Sequence, residues 1–222
     1  MVALDQDAIF GQRRGFRLTW GPLVGAIAVG SVMLVVGAII ARGFAENGFR
    51  LGSQLAWRYA FFVFFVALAA GPVGRIAVRL APTLNWPESL GRKLVWGFCA
   101  AYGVYLLSVF LPNVIRLSAG ATLMTVCSSL VVAVMAATAA PLVRLGDRPI
   151  LPDKFRRVML GTSAIYFWLC YSLMALARIS GPHRPDIFYD ISITLMILAL
   201  LLRYADRWLA HRGTLPAVQP IS

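Results

Sequence analysis

Six apolar runs, each near twenty residues long, constrain this chain more than any motif it contains. They fall at about Trp20–Ile40, Arg58–Val78, Leu94–Leu111, Ala119–Val143, Val158–Ala177 and Ile187–Leu202. A helix of about twenty residues crosses a hydrocarbon core of about 30 Å. Inside lipid, every backbone polar group must be satisfied within the protein, which leaves only helices and closed barrels. Barrel strands read as about ten residues of alternating polarity, and these runs neither alternate nor stop at ten. The expected fold is all-α, an integral membrane bundle of six transmembrane helices over residues 20–205, flanked by tails at 1–19 and 206–222. Composition agrees: only 14% of residues are charged, against roughly a quarter in a soluble domain.

The charges that remain set an orientation. A net charge of +12 invites a nucleic-acid partner, but its distribution argues for topology instead. With six spans the two termini share a side. That side carries Arg13, Arg14 and Arg17, then Arg75, Arg79, Arg92 and Lys93 in the second connection. It also carries Arg144, Arg148, Lys154, Arg156 and Arg157 in the fourth, and Arg203, Arg207 and Arg212 at the C-terminal end. The opposite side has Arg42, Arg50, Arg116, Arg178 and Arg184. This asymmetry over short loops is what the positive-inside rule assigns to cytoplasmic termini, helped by anionic lipid at the inner surface. The expected setting is the inner (cytoplasmic) membrane of a bacterial cell, with the lipid bilayer as partner and no nucleic acid. The first run lacks a small-residue cleavage pattern and reads as a membrane helix rather than a leader. Trp20, Trp57, Trp86, Trp96 and Trp208 fall near span ends, where amphipathic rings favour the interface.

Between the runs lie segments rich in Gly, Pro and charge, such as Arg42–Leu51, Leu80–Arg92, Gly146–Asp153 and Ser180–Pro185. Gly21-x-x-x-Gly25 offers a small-residue face for close helix approach. Span four, with Ser128, Ser129, Ala133, Ala136 and Ala137, suits a crowded interior, whereas the phenylalanines of span two (Phe61, Phe62, Phe64, Phe65) point to most sides. Cys99, Cys127 and Cys170 have no CxxC spacing and no nearby histidine, so they are expected to pack as small apolar residues. Two ionisable residues enter the membrane zone: Arg58 opens span two and Asp190 lies about one turn into span six. Charges there are functional suspects, although near an interface Arg58 can snorkel and Asp190 can sit at a helix N-terminus. The specific expectation is an Arg58–Asp190 pair across the outer ends of the two spans.

Several stretches carry a family likeness. Leu-Gly-Ser-Gln-Leu-Ala-Trp-Arg58 leads an apolar span that closes on Gly71-Pro72-Val-Gly-Arg75. Gly91-Arg92-Lys93-Leu-Val-Trp-Gly97 then opens a span ending in Val104-Tyr105-Leu-Leu-Ser108. Later, Arg144-Leu-Gly-x-Arg148, Ile187-Phe-Tyr189 and Leu202-Arg203-Tyr204 continue the pattern. Over about 150 residues the chain resembles the ferric-reductase-like transmembrane family, which includes the bacterial haem-binding membrane subunits of periplasmic methionine sulfoxide reductase systems. The resemblance implies a helical bundle that holds haem between histidines. Those histidines are missing. The first position carries Tyr105 or Leu106, and the fifth span carries Leu160-Gly161 and then Leu173-Met174-Ala175. The chain has two histidines, His183 and His211, predicted on opposite sides of the membrane and unable to ligate one iron. Tyr105 and Met174 are chemically possible axial ligands; the plainer reading makes them packed side chains.

No His-Glu-x-x-His, Gly-x-Ser-x-Gly or P-loop occurs, and no extramembrane segment is large enough to bind NAD or flavin. The reading leans away from an enzyme and assigns no cofactor. It expects a haem-less accessory or structural subunit packed against membrane-protein partners in a larger complex. Two other classes stay open: an electron-transfer protein binding haem or quinone through atypical ligands, and a small-molecule transporter.

Overall fold

Five of the six apolar runs become helices longer than the runs themselves. The computed structural model describes residues 21–44, 46–80, 89–115, 123–139, 144–145, 148–149, 152–180 and 186–212. Its helices are α1 (Gly21–Arg42), α2 (Glu46–Leu80), α3 (Ser89–Ile115), α4 (Leu123–Ala139), α5 (Asp153–Ile179) and α6 (Ile187–Arg212). A two-residue antiparallel ladder between α4 and α5 sets Arg144 opposite Pro149 and Leu145 opposite Arg148. The described structure is otherwise helical. Helices α1, α2, α3, α5 and α6 are long and apolar enough to cross a membrane. The 17 residues of α4 rise only about 25 Å, and the rest of the fourth run lies outside the described residues. The N-terminal tail and His183 lie outside them too.

The expected loop Arg42–Leu51 is mostly helix. Gly43 stops α1 by adopting φ +83°, a left-handed conformation that glycine adopts without a Cβ penalty. Glu46 then stands in the first turn of α2, where a carboxylate meets the positive end of the helix dipole. Two extra turns of α2 form where the charged residues suggested a connection.

Helices α2, α3, α4, α5 and α6 contact one another in sequence, and α6 returns to α2, closing a ring; α1 packs on α2 and α3. Ser31 of α1 donates a buried hydrogen bond to the Ala101 carbonyl of α3 at 3.3 Å. The close approach of these helices does not use Gly25, where an added Cβ would meet nothing within 4 Å. It uses Gly97, whose missing Cβ makes room for Ile27, and Gly52, where a Cβ would lie 3.3 Å from the Val35 backbone. Span four divides: Ser128 is buried while Ala133 and Ala137 are exposed. Span two divides as well, with Phe61 and Phe64 buried and Phe62 turned outward.

Candidate functional site at the aromatic centre

The middle of the helix ring is closed by rings. From α2 come Trp57, Phe61 and Phe64, from α3 Phe98 and Tyr102, from α5 Phe167 and Tyr171, and from α6 Phe188. Tyr171 lies 5.2 Å from both Trp57 and Phe61, and Phe167 lies 5.0 Å from both Phe98 and Tyr102. These are the separations of packed aromatic pairs, each stabilising by about 0.5–1.5 kcal/mol beyond simple burial. Apolar burial drives little association between helices already in lipid, so such packing matters more here than in water.

On the α4 side the centre turns polar. Ser128 and Tyr166 share a hydrogen bond at 3.1 Å, and the Tyr102 hydroxyl reaches the same serine. The Cys170 thiol lies beside Tyr166, one turn along α5. The Tyr171 hydroxyl is buried and meets no hydrogen-bond partner among the described residues. Cys99, Cys127 and Cys170 are free thiols, in keeping with a packing role.

Ion pairs flank this centre at both ends of the α2–α6 contact. At one end Arg58 pairs with Asp186, and its guanidinium also lies 4.9 Å over the Phe188 ring. Asp186 precedes α6 and accepts from the Phe188 N–H at 3.2 Å, the geometry of a helix N-cap. That N–H and the guanidinium together hold the Asp186 carboxyl below the usual carboxylate range. At the other end Arg75 Nε donates to Asp206 at 2.9 Å. Both arginines lie on α2 and both acids lie on or beside α6, in the same order, so the two helices run parallel.

The pair expected between Arg58 and Asp190 is therefore corrected: the partner is Asp186. Asp190 is exposed, and its backbone carbonyl accepts from Thr194. The sequence reading overlooked Asp186 and Asp206. An Asp directly before an apolar run is a helix-start signal, and it marks Asp186. Asp206 lies past the expected end of the membrane domain at residue 205, but α6 continues to Arg212; an acid one turn after Arg203 in a helical frame is its only sequence signal.

Of the two candidate axial ligands, Tyr105 packs against the core with its ring 5.1 Å from Tyr102, while Met174 on α5 is 36% exposed. Rings of α3 and α5 touch directly at Phe98, Tyr102 and Phe167, so these residues do not fit a planar macrocycle held between the two helices. Among the described residues no three His, Cys, Asp or Glu side chains gather as a metal site. Comparison with protein-family models, with curated proteins and with solved structures finds no match.

Proposed function

We propose that the chain is a six-span protein of the bacterial inner membrane with cytoplasmic termini. In this reading it serves as a haem-less, ferric-reductase-like accessory subunit, a scaffold that packs against partner subunits. The observation that carries this reading is the closed aromatic centre, tied at both ends by ion pairs between the same two helices. Such a core is built for rigidity, its rings packed directly against one another across α2, α3, α5 and α6. Six crossings are supported by chain direction. With α2 and α6 parallel, an even number of crossings between their starts fits a reading in which α4 carries the chain from the end of α3 to the start of α5. Arg156 near the start of α5 reaches the Thr138 carbonyl at the end of α4 at 3.1 Å, as antiparallel neighbours require.

Purification in mild detergent, followed by an absorption spectrum and a native mass, tests the proposal. The expected result is no Soret band and a mass that includes stoichiometric partner subunits. A solitary monomer overturns the accessory role, and a Soret band overturns the haem-less one. A second reading, electron transfer through a bound quinone, draws on the Tyr102–Ser128–Tyr166 group and its neighbouring thiol. Solvent extraction of the same sample decides it by the presence or absence of quinone.

A further inference from the structure

At the far end of the α2–α6 contact, Arg203 and Arg207 of α6 stand near the Arg75–Asp206 pair. Arg75 is held by Asp206, and its side chain remains 58% exposed. Arg203 lies one turn before Asp206 and within electrostatic reach of both Arg75 and Arg207. Arg203 and Arg207 stand one helical turn apart and both are exposed. Among the described residues one acid stands against three cations here, so this spot keeps an excess of positive charge. Loop charge that follows the positive-inside rule is spread along connections; this cluster is instead fixed on two packed helices. Arg75 folds back over Gly71, its guanidinium 3.6 Å from where a Cβ would stand, which keeps it close to the helix surface.

Ile197, Leu200, Leu201, Tyr204 and Trp208 are exposed on the outward face of α6, and helical spacing sets Leu200 and Tyr204 on the flank nearest Arg207. An apolar stripe ending in an aromatic belt and a triple guanidinium matches an acyl chain, an interfacial zone and a phosphate, in that order. We propose that Arg75, Arg203 and Arg207 bind the headgroup phosphate of an anionic diacyl phospholipid, whose chain lies along the flank of α6 that carries Ile197, Leu200 and Tyr204. Guanidinium forks suit phosphate oxygens in geometry as well as charge.

The test uses the full chain, delipidated in non-ionic detergent and titrated with phosphatidylglycerol or phosphatidylcholine, with bound lipid counted by native mass spectrometry. Wild-type protein should retain one phosphatidylglycerol far more tightly than phosphatidylcholine. Arg203→Gln combined with Arg207→Gln should weaken that retention about thirtyfold. Arg42→Gln combined with Arg50→Gln removes the same charge from the other end and should leave it unchanged. Equal retention of the two lipids by the wild type, or equal loss in both double variants, overturns the proposal. Displacement of the lipid by excess inorganic phosphate also overturns it, because the site would then be one for a soluble anion. If the glutamine pair does not fold, the wild-type lipid comparison still decides the matter.

Discussion

The two ends of the α2–α6 contact carry the same arginine–aspartate pair in opposite environments. At the Arg58 end both side chains are part-exposed, 31% and 43%, and the acid is a helix cap as much as an ion-pair partner. At the Arg75 end the cation is open to its surroundings, but the acid side chain is only 11% exposed. The first acid begins a helix; the second pairs with one cation of a cluster. Identical chemistry therefore predicts unequal consequences, because a part-exposed pair contributes little while a buried carboxylate is costly to disturb.

The sharpest way to break this comparison is Asp206→Asn. It keeps the shape and removes the charge that Arg75 meets, with Arg203 and Arg207 still nearby. Thermal unfolding in detergent should show a loss of about 2 kcal/mol, the size of a hydrogen bond between charged groups. Asp186→Ala should cost about 1 kcal/mol, mostly as a lost cap. Equal losses would erase the distinction between the two ends.

A double-mutant cycle sharpens the first end further. Arg58→Ala with Asp186→Ala should show a coupling of about 0.5 kcal/mol, discounted for exposure. Arg58→Ala with Asp190→Ala should be additive. A coupling to Asp190 larger than that to Asp186 would restore the pairing expected from sequence and contradict the structure.

Acid should act on this end with a defined sign. The Asp186 carboxyl is held below its usual range, first by the Phe188 N–H and then by Arg58. Its contribution is fully present above the unfolded value of about 4 and is lost as pH falls through the lower folded value. Melting temperature followed below pH 4 should therefore drop less steeply in Asp186→Asn than in the wild type. Parallel curves would show that the cap and the ion pair do not bias protonation.

Much of the fold was legible because lipid imposes a simple rule: a run of about twenty apolar residues becomes a helix. The centre was not legible. Phe61 and Phe62 are adjacent and chemically identical, yet one is buried and the other turned outward; in a helix that is hydrophobic all round, composition does not mark the inner face. Gly25 and Gly97 show the same gap, since spacing flagged the first while only the position of Ile27 gives the second its purpose. Asp190 drew notice over Asp186 because it lies deeper in the apolar run. The pairing was settled instead by the cap geometry, which places Asp186 at the turn where Arg58 can reach.

The smallest expected effect tests the centre against both ends. Tyr171 sits among Trp57, Phe61 and Phe64 with its hydroxyl unmatched, whereas the carboxylates at either end each meet an arginine. A buried hydroxyl without a partner costs about 1–3 kcal/mol in desolvation, and phenylalanine keeps the ring contacts while removing that cost. Tyr171→Phe should therefore be neutral or slightly stabilising in a detergent melt. Tyr166→Phe, which gives up a hydrogen bond to Ser128, should lose about 1 kcal/mol. If Tyr171→Phe instead loses as much as Tyr166→Phe, the Tyr171 hydroxyl has a partner, and a bound water or quinone oxygen becomes the group to look for at the centre.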